Sequence, residues 1–400
     1  MRGGVADYTA FLAAALARYD VATTVVTSSK ALAGRPRSDR VTSAAEVIPV
    51  ADWGYGSWRR IIEVVEGTRS DVVHVQYQTA AFGMHPAINL LPVRLRLVPG
   101  RPRAAVTFHD LRVPYLFPKA GPVRQLANAL LVGGADAVVT TNAEDAARLA
   151  PRRKGSAVPD GARDRVGRFG PPLYRIPIGS NIPVSPSSGY DRAQWRARLG
   201  VGPDQLLLSY FGFLAPSKGV DLLLAALGEL VRRGRNVRLL MVGGSAGDTS
   251  VSADRAYERQ IRARTDGPTY RGRVLWTGFT GPEEVSANLL ASDVCVLPFR
   301  EGASCRHGTL VAAIVHGLPI VTTAPPALGP LRDGIELRSG ENCYLVPPED
   351  AGRLVDAVEE VAASEALRSR LAAGARALGE HFRWDTIARQ TIRMYQEMLG

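Results

Sequence analysis

The sequence predicts an α/β protein of two facing Rossmann-like, doubly wound domains with a cleft between them. Three observations carry this. Short β-branched runs alternate with amphipathic helical patterns along most of the chain. The alternation is interrupted once, by the Pro/Ser/Gly-rich segment NIPVSPSSGYDRAQ (Asn181 to Gln194), and then restarts. Strand-like runs of both halves end in glycines or polar residues, where ligands bind in open α/β sheets.

The chain opens MRGGVADYT, a glycine turn running into a helical pattern from Asp7 to Tyr19 with Phe11, Leu12, Ala15 and Leu16 on one face. Only Met1 and Arg2 precede that turn, whereas a doubly wound domain places its first strand there. The expectation is a translation start further upstream, or a truncated chain. Strand-like runs follow at Val21 to Ser28, Asp71 to Tyr77, Arg103 to Asp110, Asp136 to Asn142 and Tyr174 to Gly179. After the linker come Leu206 to Gly212, a helix from Val220 to Gly234, then Val237 to Gly244, Arg273 to Phe279, Asp293 to Phe299 and Pro319 to Thr323. The last pattern, Arg383 to Leu399, is an amphipathic helix. The expected division is 1–184, 185–380 and a C-terminal helix, 381–400, that crosses back onto the first domain.

Composition narrows the function classes. The 400 residues are 46% hydrophobic and 22% charged, which is ordinary for a globular protein. The net charge of +11 comes mostly from scattered arginines without interleaved aromatics, which argues against nucleic acid and suits an anionic small molecule or membrane surface. Three cysteines, Cys295, Cys305 and Cys343, lack metal-ligand spacing and read as reduced thiols of a cytoplasmic protein. No apolar run reaches the length of a membrane span.

At the strand ends the first domain offers Gly3, Gly4, Tyr77, Gln78, His109 and Asp110. The second offers Phe213, the loop Ala215 to Gly219, Gly243 and the segment Arg300 to Leu310. Lys218, one of four lysines, opens a helix, where its ammonium and the helix start both attract phosphate; the plain alternative is a solvated lysine. Gly308, Thr309 and Leu310 begin a helix whose free amides suit a nucleotide diphosphate, with Arg306 and His307 beside them; the plain alternative is a helix capped by Thr309. Glu301 would repel phosphate but accept hydrogen bonds from sugar hydroxyls, so the implied ligand is a sugar nucleotide. His109 can orient a hydroxyl or handle a proton, or be merely structural. His74, inside an apolar strand, reads as core, and His316 as a helix C-terminal residue.

In order and spacing these segments resemble the family 4 glycosyltransferases of the GT-B fold, over essentially the whole chain. The resemblance rests on GGVADYT, FHD, IPIGSNI, FLAPSKGVD, EGASCRHGTLVAAIVHGLPIVTT and GENCYLVPPED. It implies retaining transfer of a hexose from a nucleotide-diphosphate sugar to an acceptor hydroxyl in cell-envelope, polysaccharide or glycolipid synthesis. No metal or other cofactor is implied. By that analogy Lys218, Arg306 and the Gly308 helix start stabilise the departing diphosphate, Glu301 positions the sugar and His109 lies between donor and acceptor. Two positions depart from the family: Thr309 stands where a ribose-binding glutamate is usual and Phe213 where a phosphate-binding arginine is usual. Arg306 or Arg300 is the expected replacement. Competing readings are a sugar-nucleotide epimerase or hydrolase on the same fold and a non-catalytic sugar-nucleotide binder. The spacing of GGVADY is not that of a nicotinamide site. The stretch from Tyr77 to Arg103 is apolar and basic, and either rests on the inner face of a membrane or is a buried helix and exposed loop.

Overall fold

A computed structural model describes residues 4–32, 45–109, 111, 121–149, 164–166, 170–243, 252–325 and 335–400. The chain divides into two compact units, Met1–Gly179 with Trp384–Gly400, and Ser180–Arg383. The segment read as a linker belongs to the second unit. Its Asp191 caps the helix Arg192–Arg198 by accepting from the Gln194 amide, and Arg192 and Arg196 of that helix pair with Asp293.

In the first unit the strands are β1 (Thr24–Ser28), β2 (Glu46–Val50), β3 (Val72–Tyr77), β4 (Arg103–Phe108), β5 (Ala137–Thr140), β6 (Asp164–Arg165) and β7 (Pro172–Arg175). β1 and β2 pair in parallel, and a separate sheet runs β3-β4-β5-β7-β6, parallel except for the β6–β7 pair. The run expected at Tyr174 to Gly179 begins and ends earlier, at Pro172–Arg175, because Pro177 has no amide to continue a ladder. Gly179 serves another purpose: a Cβ there would lie 2.5 Å from the Trp384 ring, so only glycine lets that ring seat.

Alternation along the strands sorts this unit into two layers. Val73, Val75, Tyr77, Val106, Phe108 and Val138 face one apolar cluster. Ala105, Ala137 and Val139 face another, with Tyr8, Leu12, Ala15 and Leu16 of the helix Gly4–Ala17 and Ile387, Ala388 and Met394 of the helix Trp384–Leu399. His74 faces this second layer and is fully bonded. Its Nδ1 meets the Tyr395 hydroxyl at 2.7 Å and its Nε2 the Thr107 hydroxyl at 2.7 Å. Burial drives its pKa down to about 3, so the ring is a neutral core histidine.

The second unit has one continuous parallel sheet of β8 (Leu206–Phe211), β9 (Val237–Val242), β10 (Val274–Gly278), β11 (Val294–Leu297), β12 (Ile320–Thr323) and β13 (Tyr344–Val346), in the order β10-β9-β8-β11-β12-β13. Its first strand, β8, is central, and a helix, Val220–Arg232, leads from it to β9. Cys295 is buried in β11, as a core residue. In the first unit the helix Gly4–Ala17 leads to β1 in the same way, but among the described residues no strand pairs with the free edges of β1 and β3. β1 is half-buried throughout, while Leu207 and Leu208 of β8 are fully buried.

The bond from Tyr395 ties the last helix to the sheet. Tyr395→Phe leaves one His74 nitrogen unpaired and is expected to cost about 1–3 kcal/mol in urea unfolding. An unchanged midpoint would show that the hydroxyl does not anchor the helix.

Candidate active site

In the second unit the carboxyl ends of β8, β9 and β11 converge on the start of the helix Gly308–Val315. Gly212 follows β8, and its amide donates to the Val242 carbonyl at 3.0 Å. A Cβ at Gly212 would lie 3.0 Å from the Thr309 methyl, and one at Gly243 would lie 3.0 Å from the Gly212 carbonyl oxygen. Both glycines have positive φ, +143° and +114°, so side chains are excluded here on conformational grounds as well. Gly243 is therefore at the site, packed backbone to backbone.

The Lys218 loop is held against the end of β11. Pro216–Lys218 forms one 3₁₀ turn, and Gly219 follows with φ +64°. A Cβ on Gly219 would lie 2.1 Å from the Pro298 carbonyl oxygen, so a larger residue would push the loop away. Arg300 fastens the contact: its amide donates to the Ser217 carbonyl (3.0 Å) and its Nε to the Pro216 carbonyl (3.0 Å). Its guanidinium pairs with Asp221 and Glu349, and Asp221 accepts from the Tyr257 hydroxyl at 2.6 Å. Arg300 was one of two expected stand-ins for the missing phosphate arginine. The structure gives it a different task, because its guanidinium is committed to two carboxylates and a carbonyl.

Lys218 Nζ lies 5.1 Å from the centroid of the buried Phe299 ring, a cation–π contact. The His307 ring stacks on Phe299 at 3.9 Å. His307 Nδ1 accepts from the Ser304 amide at 3.3 Å, which leaves the proton of the neutral ring on Nε2. Burial lowers the Lys218 pKa, and the Glu301 charge opposes that shift. Glu301 is exposed, in the turn directly before Gly302, whose φ is +83°.

His307 is the N-cap of the helix Gly308–Val315, in extended conformation and without a side-chain cap bond. Thr309 is the second helical residue and so does not cap the helix. The amides of Gly308, Thr309 and Leu310 precede the first intrahelical bond, from Val311 to His307. Gly308 is exposed, Thr309 and Arg306 are half-buried, and Leu310 anchors the turn in the core. Phe213 is 52% exposed, so the position expected to carry an arginine presents an aromatic surface instead.

In the first unit His109 directly follows β4, its amide bonded to the Tyr77 carbonyl at 3.0 Å. Its Nε2 meets Gln76 Oε1 at 3.0 Å, and Tyr8 packs edge-on at 4.6 Å between ring centroids. Burial lowers its pKa to about 4, so the imidazole is neutral near pH 7. Gly4 begins the helix that carries Tyr8. Gln78 is half-buried where the strand turns into Thr79–Phe82. Tyr77, expected on the acceptor side, is a core residue: it is 2% exposed, faces the other layer and accepts from Asn89 at 3.0 Å. Gly3 and Asp110 lie outside the described residues.

Sequence reasoning missed Gln76, Phe299 and the Arg300–Asp221–Tyr257 brace. Gln76 had a readable signal, since it shares a strand face with His74. Tyr257 had none, lying 36 residues from Asp221 on another helix.

Replacing Glu301 by Gln removes the charge that props up the Lys218 pKa. A phosphate held by the Lys218 ammonium would be released as pH rises through that pKa, so nucleoside-diphosphate affinity should fall there, and in Glu301→Gln the fall should come at lower pH. Calorimetric titration across pH checks this, and coincident profiles would contradict it.

Two family models match the chain: a glycosyl transferase 4-like domain over residues 3–167 and glycosyl transferases group 1 over 205–364. The chain is 31% identical, over 52% of its length, to a D-inositol 3-phosphate glycosyltransferase of Nocardioides sp., 44% of which is matched. It is 30% identical, over 60% of its length, to a phosphatidyl-myo-inositol mannosyltransferase of Mycobacterium leprae, 58% of which is matched. The chain thus spans about half the length of the curated relatives it matches. Among solved structures it resembles Anabaena HepE in complex with UDP (TM-score 0.70, 17% identity, 99% of this chain and 97% of that one). It also resembles sucrose-phosphate synthase from Thermosynechococcus elongatus (TM-score 0.65, 21% identity, 96% and 91%). The two parallel-sheet units are Rossmann-like units of the GT-B fold, and the chain belongs to the group 1, family 4-like glycosyltransferases.

Proposed function

We propose that the protein transfers a hexose from a nucleotide-diphosphate sugar to an acceptor hydroxyl, with retention and without a metal ion. The observation that carries this reading is the convergence, in one unit, of a half-buried lysine, an exposed carboxylate and a helix start without a side-chain cap. When the bond from the anomeric carbon to the diphosphate oxygen breaks, negative charge collects on the diphosphate. The Lys218 ammonium and the amides of Gly308, Thr309 and Leu310 would stabilise that charge without reorganising, with Arg306 nearby. Glu301 would accept hydrogen bonds from the hexose hydroxyls, and Gly243 would keep the ends of β8 and β9 close beside the ligand. His109, neutral near pH 7, would meet the acceptor hydroxyl. Relatives that act on inositol phosphate and phosphatidyl-inositol, and a solved structure holding UDP, support the reading.

Titration of nucleoside diphosphates by calorimetry, with turnover of the matching sugar nucleotide, tests it. Lys218→Ala should weaken binding by about 1.5–3 kcal/mol, roughly 10- to 150-fold. His109→Ala should leave that affinity unchanged and lower turnover by about 100-fold or more. Failure of the wild type to bind any nucleoside diphosphate would overturn the proposal.

Peripheral membrane contact is part of the proposal. No described helix is long and apolar enough to cross a membrane. In the first unit the helices Ala87–Leu95 and Gly121–Gly134 pack closely: a Cβ on Gly134 would lie 2.9 Å from side-chain atoms of Pro92 and Val93. Outside that contact Leu97, Leu126 and Leu130 are exposed, with Leu97 at 74%, and Arg94, Arg96 and Arg101 share the region. Apolar side chains rimmed by arginines suit an anionic bilayer. The protein should co-sediment with phosphatidylserine-containing vesicles at low salt, and Leu97→Glu with Leu126→Glu should reduce this severalfold. Equal sedimentation of the variant would rule out this face.

A further inference from the structure

The layer between the first unit's sheet and its two covering helices is largely apolar, and a polar stripe crosses it. β3 and β4 are paired in parallel with His74 opposite Ala105 and Gln76 opposite Thr107. Successive residues on a strand point to opposite faces, so His74, Gln76, Thr107 and, one step beyond β4, His109 share this face. The stripe divides into two pairs. His74 uses both nitrogens, on Thr107 and Tyr395. His109 bonds Gln76 through Nε2.

We propose that Gln76 is a positioning residue for His109: its carboxamide oxygen accepts the Nε2–H and thereby leaves Nδ1 as the bare, accepting nitrogen presented to a substrate hydroxyl. The inference rests on the proposed role of His109 for its catalytic meaning, but the tautomer is a property of the free protein. A histidine that must receive a hydroxyl hydrogen bond needs a lone pair at a fixed atom, and its two tautomers offer different atoms. A hydrogen bond on the far nitrogen is the usual way to choose between them. Among the described residues, the titratable groups that share this layer with His109 are uncharged near pH 7: Tyr8 from the first helix, His74 from β3 and Tyr395 from the last helix are held neutral by burial. A carboxamide suits this place because it accepts without adding charge. A carboxylate there would stabilise the imidazolium and remove the lone pair that the hydroxyl needs.

The test is the ¹⁵N spectrum of ring-labelled histidines in the intact chain, with His109 assigned by its loss in His109→Gln. In the wild type above pH 6 the His109 nitrogens should give one protonated signal, Nε2, and one bare signal, Nδ1. In Gln76→Leu, with the His74 signals unchanged as a check on the fold, the two His109 signals should move toward each other as the tautomers mix. In Gln76→Glu the Nε2–H signature should be kept at high pH, and the His109 pKa should rise by about 1–3 units. The acid limb of the turnover profile should move up with it. A wild type with the proton on Nδ1, or a Gln76→Leu spectrum identical to wild type, overturns the proposal. If no variant or wild type turns over any sugar nucleotide, the transferase reading fails while the tautomer result still decides the role of Gln76.

Discussion

The contact on which the candidate site depends is the one between Gly219 and the carbonyl of Pro298. A side chain at residue 219 would place its first carbon 2.1 Å from that oxygen, so the loop can rest on the end of β11 only because residue 219 is glycine. That approach brings Lys218 over Phe299 and into the field of Glu301. It also fixes the distance that Arg300 spans when it binds the loop carbonyls on one side and Asp221 on the other. Arg300 is thus a brace. The Lys218 loop is held by an arginine whose own charge is met by Asp221 and Glu349, which is how a preorganised electrostatic site avoids reorganisation.

The first unit solves a different problem. Its sheet is covered by apolar helices, yet a polar stripe runs through that cover from Tyr395 to His74 and from Gln76 to His109. Buried polar groups are tolerable when bonded, and neutrality makes the bonding cheaper than charge would. Burial does both jobs: it removes the proton from His74 and His109, and it makes their remaining hydrogen bonds specific. The result is a neutral imidazole at a strand end, anchored from behind.

Much of this was legible in the sequence, and the reason is periodicity. β8, β9, β11 and β12 are apolar runs bounded by glycine or proline, and each appears where its pattern places it. β2 was missed because its five residues contain Pro49 and an exposed Glu46, a weak pattern for an edge strand. Lys218, Glu301 and the Gly308–Thr309 helix start lie together in the second unit, a placement that follows from their positions at strand ends. Tyr77 was misread for a geometric reason: a one-residue step along β3 exchanges faces, so Gln76 points toward the layer of His109 and Tyr77 points away. Arg300 was misread because charge alone does not disclose partners. Asp221 and Glu349 lie 79 and 49 residues away and become neighbours only through the crossovers of the sheet.

In the proposed function the start of the helix Gly308–Val315 holds a diphosphate. The most direct measurement is a map of backbone amide shifts in a deuterated, ¹⁵N-labelled chain as a nucleoside diphosphate is added. Large shifts are expected for the amides of Gly308, Thr309 and Leu310, with smaller ones in the loop Ala215 to Gly219. Saturation of binding with those amides unmoved and shifts clustered elsewhere would contradict it.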